Sequence, residues 1–228
     1  MIGIIAAMQI EIDGINERIS QKSEKIIAGI TFSKGYIGDK EVVTAVSGMG
    51  KVNAAMCAEI MILEFKPEVI INTGVAGAIS KDLEITDIVI STSLYEYDLD
   101  ITPLGYPLGF ISGADIVEIP SDSSILDDLI KCSQKALKKP AKTGVIVSGD
   151  RFVNDNQLKE FLSEKFNASA CEMEGAAIGH VCYMNKVPFS VVRAISDNAQ
   201  GSADMDFETF SRIAAENSVK LMLEYLSM

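Results

Sequence analysis

The stretch Val191-Val192-Arg193-Ala194-Ile195-Ser196-Asp197 decides the fold that we expect of this 228-residue chain. It completes an apolar run from Val187 to Ile195, rich in β-branched residues, which predicts a buried strand that carries an arginine and ends at an acid. An open α/β sheet binds its ligands just outside the carboxyl ends of its strands, so Asp197 is placed for chemistry. Alternatively, Asp197 caps the following helix, and this segment alone leaves both interpretations open.

Strands and helices alternate along the rest of the chain. Apolar runs and alternating patterns predict strands at residues 2–7, 32–37, 42–46, 69–74, 85–94, 143–148 and 187–195. Helical periodicity predicts helices at residues 11–20, 47–65, 124–137, 156–166, 172–184 and 207–226, with a long irregular stretch before residue 121. Because no linker, repeat or low-complexity segment interrupts this order, we expect residues 1–228 to form a single α/β domain around a mixed, twisted sheet.

Composition bounds the class of protein. Hydrophobic residues make up 48% of the chain, which is enough for a core, and residues 1–8 predict a first strand because they lack the basic leader of a signal peptide. No apolar run reaches the roughly 20 residues of a membrane span, so we expect a cytoplasmic protein with no membrane partner. The net charge of -12 argues against nucleic acid, whose phosphates attract basic surfaces, and disfavours highly anionic substrates.

Cysteine and histidine usage argues against several kinds of site. The cysteines form no C-x-x-C pair and show no metal-ligand spacing, which indicates buried, reduced thiols at Cys57, Cys132, Cys171 and Cys182. His180, the only histidine, lies on an otherwise apolar helical segment and is interpreted as a packed side chain. We therefore expect neither a Ser-His-Asp site nor a histidine-rich metal site.

Unusual residues follow four other predicted strands. Met8 and Glu11 come after the first strand, and the other three strands are followed by SGMG (47–50), NTGVAG (72–77) and GDRFVN (149–154). Glycines in such turns let the backbone approach a ligand closely. Each turn taken singly is more often an ordinary tight turn, and none matches a P-loop or a full G-x-G-x-x-G. Their number at strand ends is what indicates a shared site.

Two charged groups of opposite sign are expected in the interior. Glu172-Met173-Glu174 is predicted to begin a helix, where carboxylates are common, and residues two apart do not share a helix face. Glu174 would lie on the apolar stripe with Ala177, Ile178 and Val181. A carboxylate on that stripe and Arg193 within a buried strand both need polar partners, so we expect the two to face one cavity.

Four motifs carry a family resemblance: INTGVAG (71–77), VSGDRF (147–152), CEME (171–174) and VRAISD (192–197). In this order they resemble the 5′-methylthioadenosine/S-adenosylhomocysteine nucleosidases of the purine nucleoside phosphorylase superfamily, and the resemblance runs from Ile2 to about Leu226. It implies a nucleoside phosphorylase-like, three-layer α/β/α sandwich with a central mixed sheet. It also implies a homodimer that hydrolytically releases adenine from 5′-thio-substituted adenosines, with no metal or organic cofactor.

The resemblance implies roles for the charged residues of these motifs. Asp197 would be the general acid that protonates adenine N7, which makes adenine a better leaving group as the ribose gains oxocarbenium character. Glu11 matches the general base that takes a proton from the attacking water. Glu174 would accept hydrogen bonds from the ribose hydroxyls, and Arg193 would help to hold the water and Glu174.

The resemblance also implies a set of contacts around the adenine nucleoside. Phe152 would stack on the adenine, the backbone of Val153 would read the adenine edge, and Met173 would lie against the sugar. The other implied contacts are Gly77 and Ser196 and, around the 5′-thio group, Met8, Met49 and Phe207. Residues 100–106 resemble a segment that reaches into the partner's site, so the residues acting in trans would be Ile101, Leu104 and Tyr106.

Two departures from the family pattern bear on the site. Many members have serine where Val75 stands, so a hydrogen bond near the catalytic acid is absent here or replaced by water. Residues 99–111 resemble a subgroup that also cleaves 6-amino-6-deoxyfutalosine, a menaquinone precursor. The preferred adenosine derivative is therefore left open.

Other functions remain to be weighed against hydrolysis. A phosphorylase needs cationic coordination of phosphate, whereas the arginines of this chain are only Arg18, Arg151, Arg193 and Arg212. Glu11 would also repel an attacking anion, and no basic cluster is evident for the 5′-phosphate of an AMP nucleosidase. A non-catalytic nucleoside receptor would need Phe152 and Glu174, but not Glu11 together with Asp197.

Overall fold

One mixed sheet connects all ten strands of the computed structural model, which describes residues 1–197 and 207–228, with side chains from residue 213 onward in the second range. The strands are β1 (Ile2–Ala6), β2 (Ser20–Ile27), β3 (Ile30–Ile37), β4 (Lys40–Val46), β5 (Val69–Ala78), β6 (Ile88–Glu96), β7 (Ile119–Pro120), β8 (Lys142–Ser148), β9 (Ala168–Glu172) and β10 (Phe189–Asp197). The helices are α1 (Asp13–Asn16), α2 (Lys51–Phe65), α3 (Ser123–Ala136), α4 (Asn156–Phe166), α5 (Gly175–Asn185) and α6 (Phe207–Leu226).

The long strand β5 joins the two parts of the sheet. On one side lie β1, β4, β3 and β2 in that order, with β1 parallel to both β4 and β5. On the other side β5 pairs in parallel with β10, and the path continues through β6, β8 and β9. Gly77 and Ala78 at the end of β5 then pair with β9, which closes these five strands into a ring. The expected mixed sheet is therefore confirmed, but it is not open at the site.

Helices cover both faces of the sheet, which makes the three layers. Neighbouring residues of a central strand point to opposite faces, so Ile4 packs into one buried cluster and Ile5 into the other. The cluster of Ile5 includes the inner faces of α2 and α5, and the cluster of Ile4 includes those of α3 and α6. Strands buried on both faces read as continuous apolar runs, which is why the central strands were predictable.

Two predicted helices differ from the structure. The helix predicted at 11–20 is only a 3-10 turn at Gln9–Glu11 followed by the single-turn α1, after which β2 begins at Ser20. Because β2 is an exposed edge strand, it lacks the apolar alternation that reveals a strand. The helix predicted at 172–184 begins at Gly175, since residues 168–172 form β9 from mostly small side chains. Helices α4 and α6 have the predicted bounds.

No helix within residues 1–197 and 207–228 is both long and apolar enough to cross a membrane. The cysteines, Cys57, Cys132, Cys171 and Cys182, are buried free thiols, as the sequence predicts.

Candidate active site

A pocket with about 580 Å³ of empty space lies where β1, β5, β9 and β10 end. It brings together these residues that the sequence singled out: Met8, Glu11, Met49, Gly77, Phe152, Val153, Met173, Glu174, Ser196 and Asp197. Its lining also includes Ala7, Val75, Ala76, Arg151, Cys171 and Glu172. Parts of the chain that are far apart in sequence therefore meet around one cavity, as the resemblance implies.

Four predicted site residues with described side chains do not line this pocket, and a fifth, Phe207, has a side chain outside the described residues. Arg193 is fully buried and pairs with the lining carboxylates Glu172 and Glu174. Ile101 and Leu104 lie in the irregular segment after β6, together with Tyr106, whose ring stacks on Phe110 at 4.6 Å between centroids. Phe207 is the first residue of α6, and its side chain lies outside the described residues.

Glu11 is held by backbone amides in a buried position. The 3-10 turn after β1 folds its side chain back, so that Oε2 accepts hydrogen bonds from the amides of Ala7 at 3.0 Å and Met8 at 2.8 Å. Its Oε1 accepts from the amide of Val75 at 2.9 Å. Burial raises the pKa of Glu11, against the opposing effect of Arg193 and these amides. The group is thus fixed in place and has the raised pKa that suits a base near neutral pH.

Arg193 pairs with two carboxylates that line the pocket, those of Glu172 and Glu174. Its Nη2 donates to Asn72 Oδ1 at 2.5 Å, forms an ion pair with Glu172, and lies 3.6 Å from Glu174 Oε2. Within the described residues its Nε and Nη1 have no hydrogen-bond acceptor. A Cβ at Gly74 would overlap Nη1 and lie 2.7 Å from Glu11 Oε1, so glycine there lets the guanidinium and the Glu11 carboxylate face one another.

Glu172 and Glu174 are not separated as predicted, because they are not in one helical turn. Glu172 ends β9, and Glu174 is the N-cap of α5 with non-helical backbone, so both side chains reach Arg193. Burial, together with repulsion from Glu172, raises the pKa of Glu174 to about 7, whereas Arg193 opposes this. The expected polar partnership is present, since Arg193 pairs with Glu174, but only Glu174 lines the pocket and Arg193 lies buried behind it.

Glu172 fixes the start of α5. Its Oε2 accepts hydrogen bonds from the amides of Glu174 at 3.0 Å and Gly175 at 2.7 Å, and its Oε1 accepts from Ser148 Oγ. The Ser148 hydroxyl in turn accepts from the amide of Ala176 at 2.7 Å. A carboxylate at a helix N-terminus satisfies amides that have no partner within the helix. Glu172 has no role predicted from the sequence, because the short strand β9 is not recognisable there.

The two glycine-rich loops at the pocket mouth are tied together. The amide of Gly50 donates to Glu174 Oε1 at 2.8 Å, and the amide of Lys51 donates to Asp150 Oδ1 at 2.7 Å. The Lys51 ammonium lies 2.5 Å from Asp98 Oδ1, and Asp98 Oδ2 accepts from the amide of Asp150 at 2.8 Å. These bonds fix the positions of Met49 and Phe152, which both line the pocket.

His180 lies outside the pocket and is not simply packed. Its Nδ1 is 2.9 Å from Glu96 Oε1, and Glu96 also pairs with Lys51 at 3.1 Å. This supports the loops indirectly and leaves His180 without a place among the residues that line the site. Within residues 1–197 and 207–228 no group of three or more His, Cys, Asp or Glu side chains could hold a metal ion.

Asp197 lies beside Gly77, further along β5 than Gly74 and Val75, next to which Glu11 lies. A bulge in β10 leaves Ser196 without a partner on β5 and brings Asp197 opposite Gly77, where a Cβ would lie 3.0 Å from Asp197 Oδ1. Its Oδ1 lies 3.3 Å from Ser196 Oγ, and its Oδ2 lies 3.3 Å from Lys159 Nζ. The alternative that Asp197 caps the following helix depends on residues 198–206, which lie outside the described part of the chain.

Lys159 is a functional candidate that was not predicted from the sequence. It lies on α4 with a relative exposure of only 4%, on the buried stripe with Leu162 and Phe166. The spacing of three and seven residues in a correctly predicted helix was the available signal, since lysine rarely occupies such a stripe unless it is paired.

Comparison with known proteins agrees with this geometry. A family model described as the phosphorylase superfamily matches residues 1–227. A relative from Staphylococcus carnosus (strain TM300), named 5′-methylthioadenosine/S-adenosylhomocysteine nucleosidase, is 43% identical over 230 residues, which cover 99% of each chain.

Two solved structures match nearly the whole fold. The nucleosidase of the same name from Neisseria meningitidis, in complex with methylthio-immucillin-A, superposes with a TM-score of 0.95 at 34% identity and covers 100% of this chain and 99% of its own. The futalosine hydrolase of Helicobacter pylori superposes with a TM-score of 0.94 at 37% identity, covering 99% and 97%. The nucleoside phosphorylase-like fold is thus confirmed. The chain belongs to the phosphorylase superfamily and, within it, to the 5′-methylthioadenosine/S-adenosylhomocysteine nucleosidases.

Proposed function

We propose that this protein is a hydrolase that cleaves the N-glycosidic bond of 5′-thio-substituted adenosines, releasing adenine and the 5′-substituted ribose. One observation carries the proposal: Glu11 and Asp197 line the same pocket but have separate partners, so a base and an acid are available to one bound nucleoside. The names of the nucleosidases that it resembles support the same reaction.

In this mechanism the bond between ribose C1′ and adenine N9 breaks while Asp197 gives its proton to adenine N7. The bonding electrons leave with the purine, and the ribose carries oxocarbenium character. Water attacks C1′ and gives a proton to Glu11, whose burial raises its pKa toward the range of an effective base. Glu174 accepts hydrogen bonds from the ribose hydroxyls, Met173 lies against the sugar, and Phe152 stacks on the adenine.

Water is favoured over phosphate as the nucleophile by the charges around Arg193. This guanidinium already faces Glu172 and Glu174, and Glu11 is the next group beyond its Nη1. A phosphate dianion needs uncompensated cations or several amide donors. The backbone amides of Ala7, Met8 and Val75 already donate to the Glu11 carboxylate, so they are not available to phosphate. A neutral water molecule meets no such repulsion.

The nucleophile is tested by product analysis with and without inorganic phosphate. We expect adenine release from 5′-methylthioadenosine at the same rate in phosphate and in a phosphate-free buffer of matched ionic strength, with free 5-methylthioribose as the other product. Phosphate-dependent formation of a ribose 1-phosphate would contradict the proposal and identify a phosphorylase.

The preferred adenosine derivative is a separate question within the same reaction. The candidates are 5′-methylthioadenosine, S-adenosylhomocysteine and 5′-deoxyadenosine, which would place the enzyme in methionine salvage and methyl-cycle recycling. The futalosine hydrolase of Helicobacter pylori supports 6-amino-6-deoxyfutalosine, and hence menaquinone biosynthesis, as an alternative. Relative kcat/KM values for the four compounds decide between these possibilities, and the highest value identifies the substrate.

We further propose that the protein is a homodimer in which residues 101–106 complete the partner's pocket. Val52, Met56 and Leu63 lie on one exposed face of α2, and the side chain of Leu104 is 74% exposed. Apolar side chains repeated along one exposed helix face commonly mark an interface. The proposed contributions in trans come from Ile101, Leu104 and Tyr106. The cytoplasmic location stays a prediction.

The dimer is tested by substitutions on these two surfaces. We expect Val52→Asp combined with Met56→Asp to give a monomer in sedimentation velocity and to lose activity, because the pocket is then incomplete. Leu104→Ser combined with Tyr106→Ser is expected to raise KM for 5′-thio substrates. A wild-type protein that sediments as a monomer while fully active would contradict the arrangement.

A further inference from the structure

The partner of the proposed acid is a lysine in the interior. Lys159 extends from α4 and is almost completely buried, and its Nζ lies 3.3 Å from Asp197 Oδ2. The same side of α4 contributes Leu162 and Phe166 to an apolar cluster that also includes Cys171 from the pocket wall. A lysine in such surroundings is costly unless it is paired, so its retention there calls for a reason beyond packing.

Among the described residues, the other surroundings of Asp197 offer little compensation for its charge. Ser196 Oγ lies 3.3 Å from Oδ1 and also contacts the Ala76 carbonyl at 3.4 Å, so its single proton is shared between two acceptors. Gly77 has no side chain, and the side chain of Val75, which also lines the pocket, has no hydrogen-bond donor. Lys159 is therefore the cation positioned to respond when the charge of Asp197 changes.

We infer that Lys159 is a positioning residue for proton transfer from Asp197, a role that rests on the proposed function. As the proton passes to the purine, Asp197 becomes a carboxylate, and the ammonium at 3.3 Å stabilises the charge that develops there. The ammonium keeps its own protons throughout, so it acts through Asp197 and not on the substrate. It also directs Oδ2 toward α4, which leaves Oδ1 for the purine.

The role is separable from a structural one by the choice of leaving group. A purine needs protonation to depart, whereas p-nitrophenolate departs as a stable anion without an acid. The 5-methylthioriboside of p-nitrophenol therefore bypasses Asp197 but still uses the rest of the pocket. A residue that assists the acid matters for the purine substrate only, while a residue that maintains the fold matters for both.

The experiment compares Lys159→Met, Lys159→Arg and the matched control Lys165→Met, which alters an exposed lysine of the same helix. We expect Lys159→Met to lower kcat for 5′-methylthioadenosine about 10- to 100-fold, with KM changed by less than about threefold. The p-nitrophenyl substrate is expected to change by less than about twofold. Lys159→Arg is expected to recover part of the loss because it restores the cation, and Lys165→Met is expected to behave as wild type.

Two outcomes overturn this inference. Unchanged kcat in Lys159→Met shows that the ammonium is not needed, and an equal loss on both substrates shows a structural role only. Failure of the proposed function is recognised separately: Asp197→Asn then retains full activity toward 5′-methylthioadenosine, whatever Lys159→Met does. Loss in Asp197→Asn with wild-type behaviour in Lys159→Met refutes the role of Lys159 alone.

Discussion

The two ends of the pocket hold their carboxylates by different means. At the base end, which comprises Glu11 and its neighbours, Glu11 accepts hydrogen bonds from three backbone amides. Arg193 lies there among Glu11, Glu172 and Glu174. At the acid end, which comprises Asp197 with Ser196 and Lys159, the partners of Asp197 within the described residues are one hydroxyl and one lysine side chain. Backbone amides are fixed by the fold, whereas a lysine reaches its partner through a flexible four-carbon stem.

This difference matches what each end has to do. A base must stay in one position and be ionised before water arrives, so rigid donors that favour the carboxylate suit it. An acid must exist both with and without its proton during one turnover, so a partner that can adjust suits it better. Substitutions at either end test this contrast, and their expected effects on activity and stability differ in size.

Loss of the acid is expected to have the largest effect. Asp197→Asn keeps the shape of the side chain but removes the proton that goes to adenine, so we expect kcat to fall on the order of 100- to 10,000-fold. Substrate binding should stay measurable by calorimetry, because the contacts with Phe152 and Glu174 are unchanged. An unaffected kcat would instead show that the purine leaves without a proton from Asp197.

Loss of the base is the next largest effect. Glu11→Gln leaves the site filled but removes the proton acceptor, and the new amide nitrogen faces either the Val75 amide or those of Ala7 and Met8. We expect adenine release to fall about 100-fold or more. In the wild type, kcat/KM should decline as pH falls through the raised pKa of Glu11, which lies above the usual value of 4.5. A decline confined to pH values below 4.5 would contradict this assignment.

Crowding the base end is expected to cost stability as well as activity. In Gly74→Ala the new Cβ would overlap Arg193 and crowd Glu11, so we expect the free energy of unfolding to fall by about 1–3 kcal/mol and activity to fall with it. Gly113→Ala is the matched control, because a Cβ there meets no atom within 4 Å. Equal behaviour of the two variants in urea unfolding would show that the close approach at Gly74 is not needed.

The last effect concerns stability alone, through its pH dependence in the ligand-free protein. The pKa of Glu174 is raised from 4.5 to about 7 on folding, so between these values the folded state binds more protons than the unfolded state. Stability therefore falls as pH rises through this window, by up to about 3 kcal/mol from this group. We expect the unfolding free energy of Glu174→Gln to fall much less with rising pH than that of the wild type. The measurement is the difference between the unfolding free energies of the two proteins at each pH. Parallel curves for the two proteins would contradict it.

The sequence could predict the parts of the site that follow central strands. The apolar run of β10 predicts both a buried Arg193 and an acid, Asp197, at the strand end. A strand buried on both faces is recognisable, and its carboxyl end is a known position for ligands. The family resemblance predicts Glu11 as the base, although Glu11 lies in a 3-10 turn and not in the helix predicted at residues 11–20. Local patterns were sufficient wherever the side chain's position depended on its own element.

The parts that could not be predicted depend on distant contacts. β9 consists mostly of small residues and is recognisable only by its pairing with β5 and β8, so the ion pair of Glu172 with Arg193 was missed. The pairing of Lys159 with Asp197 joins a helix to a strand that follows it much later in the chain. The closure of the sheet into a ring is likewise a property of the assembled strands.

The division of labour between the two ends is tested most directly by comparing leaving groups in two variants. We would measure kcat for 5′-methylthioadenosine and for the 5-methylthioriboside of p-nitrophenol in Asp197→Asn and in Glu11→Gln. We predict that Asp197→Asn loses the purine reaction but retains most of the p-nitrophenol reaction, while Glu11→Gln loses both, since water must be activated in either case. Equal losses on both substrates in Asp197→Asn would contradict its assignment as the acid.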